Sequence, residues 1–255
     1  MLKVENISYS YKNSNLFSDK YTQVLNGVSF NLDENNSLGI LGISGSGKST
    51  LAKIIANIYK ANSGNVFLNN VKIQDNKEYK KLIQIVFQDS RASFNPDFSV
   101  YEALIEPLEN LTTFSKSEIK KRALECLELL ELNQDLLDKK CSMLSGGQLQ
   151  RLSIARAISI KPKILILDEA TSSLDVLIQA KILKTLKNLQ KDLSYIVITH
   201  DLRIIKLFCD EVLVLDKGKV IESKKVCKDL ELFSDIGKEL QNSVLSPYPK
   251  DFNFY

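Results

Sequence analysis

Hydrophobic positions along this chain change their period from region to region, and each change marks a different kind of structure. Toward the N-terminus, short apolar or alternating runs predict strands over Leu2 to Tyr9, Val24 to Leu32, Leu38 to Ile43, Val66 to Leu68, Val71 to Ile73 and Ile83 to Phe87. Asn69-Asn70 predicts a hairpin turn between two of them. After Lys48, the residues Leu51, Ile54, Ile55 and Ile58 recur at helical spacing. The middle of the chain is helical, over Val100 to Leu108 and Ser117 to Leu132, and Ser115 with Glu118 three residues on forms a capping box. Strands and helices then alternate: Ile164 to Leu167, a helix from Asp175 to Lys191, Ile196 to Thr199, a helix from Leu202 to Cys209, and Val212 to Leu215. That alternation implies a mainly parallel sheet with helices on both faces, hence an α/β fold. Asp216-Lys217-Gly218-Lys219 turns into a closing strand, Val220 to Glu222. Residues beyond Val226 read as a short amphipathic appendage ending in an extended Ser246-Pro247-Tyr248-Pro249 tail. No internal repeat is present, and the pattern describes one composite domain rather than a string of modules.

Composition narrows the partners. With 255 residues the chain can bury a large core, and 34 Lys and Arg against 31 Asp and Glu leave a net charge of only +3. That balance is far from the basic profile of a general nucleic-acid binder, so no nucleic-acid partner is expected. No run approaches the roughly 18 to 20 apolar residues that span a bilayer, and the Met1-Leu2-Lys3-Val4-Glu5 start does not read as a signal peptide. A cytoplasmic location is the expectation. Cys126, Cys141, Cys209 and Cys227 lie far apart without C-x-x-C spacing and read as reduced thiols in or near the core, not as a zinc or iron-sulfur site.

The candidate chemistry starts at Gly42-Ile43-Ser44-Gly45-Ser46-Gly47-Lys48-Ser49-Thr50, which fits G-x-x-x-x-G-K-[ST] between a predicted strand and a predicted helix. Glycines let backbone N–H groups converge on anionic oxygens, and the helix that follows adds its positive N-terminal end. Lys48 supplies a point charge for outer phosphates, and the Ser49 hydroxyl suits magnesium, a cation that prefers hard oxygens. Ile164-Leu165-Ile166-Leu167-Asp168-Glu169 is a continuous apolar run of the kind found in the centre of a parallel sheet, ending in two acids. At the carboxyl edge of such a sheet Asp168 can reach the magnesium shell and Glu169 can orient an attacking water. Gln88 follows another apolar strand and could touch both magnesium and that water. His200, the only histidine, ends a third strand, where a polar contact with a γ-phosphate is open to it.

Together these residues resemble the ATP-binding cassette (ABC) family over nearly the whole chain. GISGSGKST is similar to its Walker A loop, Gln88 to its Q-loop glutamine, Leu144-Ser145-Gly146-Gly147-Gln148 to its signature, ILILDE to its Walker B strand, Ser173-Leu174-Asp175 to its D-loop, and His200 to its switch histidine. Tyr11 resembles the aromatic that stacks on adenine, with Tyr9 as the alternative. The resemblance implies a P-loop NTPase fold over residues 1–225, with a RecA-like core, an N-terminal antiparallel β subdomain, a helical subdomain over about 89–157, and an appendage over 226–255. It implies ATP and Mg2+ as ligands, Ser49, Gln88 and Asp168 serving the metal, and Glu169, His200 and Gln88 serving hydrolysis. Two cassettes of the family pair head to tail, so Ser145, Gly146, Gly147 and Gln148 would face nucleotide held by a partner.

Within the family, Gln88-Asp89-Ser90-Arg91-Ala92-Ser93-Phe94-Asn95-Pro96 with Glu106-Pro107-Leu108 resembles the peptide and nickel importer ATPases. The run Leu144 to Arg156 and the ending Gly237 to Pro249 resemble the nickel branch more, and the long C-terminal extension with a cysteine cluster common in oligopeptide relatives is missing. Cys141-Ser142-Met143 departs from the proline or histidine that many relatives carry before the signature. One histidine and no clustered cysteines leave no plausible site for a transported metal. Cargo selection is therefore expected in other subunits: two membrane permeases, a second, nonidentical ATPase, and an extracytoplasmic binding protein. The chain itself is expected at the cytoplasmic face of the membrane. The segment between Gln88 and Leu144 is expected to dock a cytoplasmic helix of a permease, with Phe94 and Phe98 in the contact.

Overall fold

The apolar runs build two sheets in the computed structural model, which describes residues 1–15, 18–172 and 174–243. Strands β1 (Leu2–Asn15), β2 (Ser18–Leu32), β4 (Ser63–Leu68) and β5 (Val71–Lys72) form an antiparallel sheet in the order β2-β1-β4-β5. Strands β3 (Ser37–Leu41), β6 (Ile83–Val86), β7 (Ile164–Asp168), β8 (Ser194–Ile198), β9 (Glu211–Asp216) and β10 (Lys219–Lys225) form the second sheet, ordered β10-β9-β3-β8-β7-β6. Every neighbouring pair in it is parallel except β10 with β9.

Every residue of β3, β7 and β8 is buried because the central sheet is covered on both faces. Alternate side chains serve two cores. Leu165, Leu167, Tyr195, Val197, Val212 and Val214 pack with helices α5 (Gly146–Ser159), α6 (Val176–Asn188) and α7 (Leu202–Phe208). Ile164, Ile166, Ile196, Ile198, Leu213 and Leu215 pack with α1 (Lys48–Ile55) and the antiparallel sheet. At about 1.5–3 kcal/mol per buried aliphatic side chain, these rows hold the strand ends in register.

A layer of α3 (Val100–Leu111), α4 (Lys116–Leu129) and α5 sits on one flank. Each starts in a capping box: Ser99 with Glu102, Ser115 with Glu118, and Ser145 with Gln148. Arginines tie α5 to α4 and to the turn that follows α4. Arg151 donates to the Glu131 carbonyl at 2.7 Å, and Arg122 to the Ser159 and Ile158 carbonyls at 2.8 and 2.9 Å.

Several elements differ from the sequence expectation. The first hairpin is far longer than Leu2 to Tyr9 and Val24 to Leu32, because it continues through a polar stretch with Tyr21, Thr22 and Gln23 exposed. Helix α2 (Lys77–Leu82), capped by Asn76, has no apolar periodicity to announce it; it is held by Tyr79, which donates to the Ile55 carbonyl at 2.7 Å. The helix after Lys48 stops at Ile55, so Ile58 is not on its buried face and is 50% exposed. Asn57 takes a left-handed φ of 58°, while Asn57 N–H and Ile58 N–H close on the Ile54 and Lys53 carbonyls at 3.0 and 2.8 Å, a Schellman ending. Asn69 and Asn70 both adopt positive φ, 50° and 63°, as the predicted two-residue turn requires. Cys126, Cys141 and Cys209 are buried but Cys227 is exposed, a departure from the expectation of core thiols. The extended tail expected over Ser246 to Pro249 lies outside the described residues, as does Ser173.

Past β10 the chain folds back. Glu222 accepts hydrogen bonds from Phe233 N–H at 2.8 Å, Ser234 N–H at 2.9 Å and Ser234 Oγ at 2.6 Å. That clamp fixes the entry to α8 (Asp235–Ser243), and Leu230, Leu232 and Leu240 join the larger core.

Candidate functional site

Strand register brings the predicted residues to one sheet edge. Val86 lies beside Leu167, Asp168 beside Ile198, and Ile198 beside Ile40. Gln88, Glu169, His200 and Gly42 therefore leave their strands at the same level, at the carboxyl edge where open α/β sheets bind ligands. A cavity of about 490 Å3 opens there, lined by Tyr11, Val24, Gly42, Ile43, Ser44, Gly45, Gly47, Lys48, Ser49, Thr50, Gln88, Glu169, His200 and Leu240.

The loop between β3 and α1 is shaped by close backbone approaches. Gly47 has φ 106° and sits under Val24 and Leu25, where a Cβ would come within 2.8 Å of both. Gly42 lies so close to the Leu215 carbonyl that a side chain has no room. Ser46 O accepts from Gly218 N–H at 3.0 Å, which ties the loop to the β9–β10 turn. Lys48, 7% exposed, donates to the carbonyls of Gly42 at 2.7 Å and Ile43 at 2.8 Å, with Ser46 Oγ at 3.5 Å. Burial pushes its pKa down, and the nearby charges of Glu169 and Asp168 oppose that shift.

The acids at the end of β7 differ in environment. Asp168 is 5% exposed, lies beneath the cavity lining, and accepts from Ser49 Oγ at 3.0 Å. Burial raises its pKa, and the adjacent Glu169 raises it further against the pull of the Ser49 hydrogen bond. Glu169 adopts φ 50°, with its N–H on the Ile198 carbonyl at 3.0 Å and its carbonyl accepting from Ser172 Oγ at 2.8 Å. That turn aims Glu169 into the cavity, its Oε1 3.6 Å from His200 Nδ1.

Of the two tyrosines, Tyr11 lines the cavity and Tyr9 does not. Tyr11 sits edge-on to Tyr9 and Tyr59, with ring centroids 5.1 and 6.1 Å away, and its hydroxyl is 3.1 Å from Thr50 Oγ1. Tyr9 stacks on Tyr59 at 5.7 Å beneath it. Val24 and Leu240 also line the cavity; Val24 was read only as a strand residue and Leu240 only as part of the Gly237 to Pro249 ending, and a single apolar residue in either place does not mark a cavity wall.

Ser145, Gly146, Gly147, Gln148 and Asp175 do not line this cavity. Ser145 Oγ accepts from Gln148 N–H at 3.2 Å and Gln148 Oε1 accepts from Ser145 N–H at 2.9 Å. A Cβ built on Gly146 would meet nothing within 4 Å, and one on Gly147 only Leu174 Cδ2 at 3.6 Å. Asp175 caps α6 by accepting from Ile178 N–H at 3.0 Å, beside Val176 and Leu177, which are 78% and 77% exposed. Among the described residues no cluster of His, Cys, Asp and Glu is arranged to hold a transition metal, and no helix is long and apolar enough to cross a membrane.

A family profile described as ABC transporter matches residues 25–172. Nickel import ATP-binding protein NikE of Shigella dysenteriae serotype 1 is 41% identical over 98% of this chain and 96% of its own length, and that of Escherichia coli K12 is 40% identical with the same coverage. Among solved structures, a post-hydrolysis dimer of the ATP-binding cassette MJ0796 bound to ADP and Pi superposes with a TM-score of 0.81 at 33% identity, covering 89% of this chain and 99% of that one. CbiO1 of Clostridium perfringens, part of the ABC transporter complex cbiONQ, gives 0.73 at 34% identity and 88% coverage of both chains. With a profile match over residues 25–172 and 40–41% identity to the NikE relatives along 98% of its length, the chain belongs to the ABC transporter family and is an ATP-binding cassette ATPase of that family.

Proposed function

We propose that this chain is the ATP-hydrolysing subunit of a nickel importer, working at the cytoplasmic face of a membrane with two permease subunits, a second cassette and an extracytoplasmic binding protein. The observation that carries the cargo is the 40–41% identity to NikE proteins along 98% of the chain. Residues 1–225 act as the motor, with 89–157 as its helical subdomain, and 226–255 as an appendage.

ATP enters the cavity with its adenine against Tyr11 and its phosphates over residues 42–50, whose backbone N–H groups and Lys48 take the negative charge. The hard oxygens of Ser49 and Asp168, 3.0 Å apart, fit magnesium, and Gln88 completes that set from the cavity wall. A magnesium ion held by these residues would neutralise charge on the outer phosphates, and its charge would favour the ionised form of Asp168. Glu169 orients a water and takes its proton as the oxygen attacks the γ-phosphorus; the bond to the β,γ-bridging oxygen breaks and ADP and phosphate leave. His200, beside Glu169, donates to a γ-phosphate oxygen.

The signature belongs to a second site. Glycine in a helix costs up to about 1 kcal/mol relative to alanine, yet nothing in this chain crowds Gly146 or Gly147. Their missing side chains make sense when the phosphates held by the partner cassette come close to the N-terminus of α5. ATP bound between two cassettes then favours the closed pair, and hydrolysis removes that preference.

On the helical layer, Phe94 is shared by two cavities of about 440 and 250 Å3, one reaching Phe98 and Glu106, the other Leu144 and Leu149. This is the surface proposed to take a permease helix. Arg156 stacks on the Phe94 ring at 4.2 Å and Phe94 is 9% exposed, so Phe98 is the cleaner position to substitute.

Uptake of labelled nickel and of labelled dipeptide in a strain lacking this chain tests the cargo. Nickel uptake restored by the chain, with dipeptide uptake unaffected, is the expected result. Restored dipeptide uptake would move the chain to the peptide branch that its Gln88 to Pro96 segment also resembles.

A further inference from the structure

The signature helix carries a polar side chain that neither nucleotide site explains. Gln150 is 0% exposed and lies between the core residues Leu149 and Leu152. Its Nε2 donates to the carbonyl of Phe87 at 3.2 Å, and its Oε1 is buried with no hydrogen-bond partner. An aliphatic side chain would remove the unsatisfied Oε1 but would also take this donor from the Phe87 carbonyl, so the reason for an amide here is the bond that it makes to that carbonyl. What the amide does is join two segments 63 residues apart. Phe87 immediately precedes Gln88, which faces the nucleotide of its own chain. Gln150 is two residues beyond Gln148, at the start of the helix facing the partner's nucleotide.

We propose that Gln150 is a positioning residue that couples the two nucleotide sites, passing movement of the Gln88 segment to the start of α5. Resting on the ATPase reading above, the inference adds a route within one chain. Gln88 drawn toward ATP carries the Phe87 carbonyl with it, and the bond from Gln150 makes α5 follow. Arg151, part-way along α5, is held to the Glu131 carbonyl just beyond α4, and Arg122 of α4 holds the C-terminal end of α5, so the helix moves with its layer. The unpaired Oε1 is an acceptor available to the rearranged state.

Two experiments test this. Gln150→Met keeps the length and bulk of the side chain but cannot donate. It is expected to keep the wild-type melting temperature and KM for ATP within about twofold while kcat falls about tenfold or more. A folded Gln150→Met protein with wild-type kcat overturns the proposal, whereas a wild-type chain without ATPase activity, in the presence of its transporter subunits, would instead overturn the function proposed above. The second experiment needs no variant. Hydrogen exchange is measured on wild-type protein dilute enough to stay monomeric. ATP is expected to change exchange at residues 145–149 as well as at 86–90. A change confined to the phosphate loop and 86–90 overturns the coupling.

Discussion

Gly147 separates folding from function within one residue. Alanine there meets only Leu174 at an ordinary 3.6 Å and removes a helical glycine, so Gly147→Ala is expected to leave stability unchanged or raise it by less than about 1 kcal/mol. ATPase activity is expected to fall about 100-fold or more, because in the proposed pairing the added methyl would obstruct phosphate held by the opposing cassette. Parallel melting and turnover measurements check this; a stable variant with full activity would mean the glycines serve no second site. Glu169→Gln makes the complementary case. It keeps the side-chain volume and removes the proposed base, so nucleotide binding should persist while hydrolysis drops about 100- to 10,000-fold, as measured by nucleotide titration and phosphate release. Asp168 and Glu169 were legible in the sequence because an apolar strand must stop somewhere and the first charges after it mark the sheet edge. Tyr11 was separable from Tyr9 only in three dimensions, by which ring faces the cavity. The places of Leu240 on the cavity wall and of Gln150 against the Phe87 carbonyl were not legible, since each depends on residues distant in the chain.

Among the elements, strands buried on both faces were the most readable, because continuous apolar runs such as Ile164 to Leu167 have few other uses. The outer part of the first hairpin escaped because Lys12, Tyr21, Thr22 and Gln23 are all exposed polar or aromatic positions with no apolar alternation to read. The extent of α1 was misjudged by one turn: Ile58 continues the period, but Asn57 in a left-handed conformation ends the helix before it. The appendage adds a pH-dependent element. Burial raises the pKa of Glu222, but hydrogen bonds from Ser234 and Phe233 and the nearby Lys224 outweigh it and pull the pKa down to about 2. The unfolded chain, with an ordinary value of 4.5, takes up the proton first as pH falls. The clamp therefore stabilises fully above that ordinary value and is lost as pH drops toward 2. Glu222→Gln is expected to cost about 1–3 kcal/mol at neutral pH. The gap to wild type should shrink steadily below pH about 4.5, as thermal melting across pH would show. A gap independent of pH would mean the carboxylate charge is not what holds α8 in place.

For the whole molecule, the arrangement is an ATP cavity on one flank and a signature helix that cannot serve it. The cavity holds the phosphate loop, Glu169 and His200, and no residue of the signature lines it. In the proposed pairing another cassette would supply half of each active site, and the exposed Val176 and Leu177 beside the Asp175 cap are available to that contact. Phe98 should act at this scale alone: Phe98→Ala is expected to leave ATP affinity within about twofold while lowering uptake per ATP hydrolysed several-fold in reconstituted vesicles. Equal coupling in the variant would remove this face from the permease contact.

The central claim, a site split between two cassettes, is tested most directly by ATP turnover per chain as the chain is titrated with its companion cassette and, separately, with itself. Turnover that is negligible for the isolated monomer and rises to a plateau with one of these partners is predicted. Turnover independent of concentration, from a chain that sediments as a monomer with ATP bound, would contradict it.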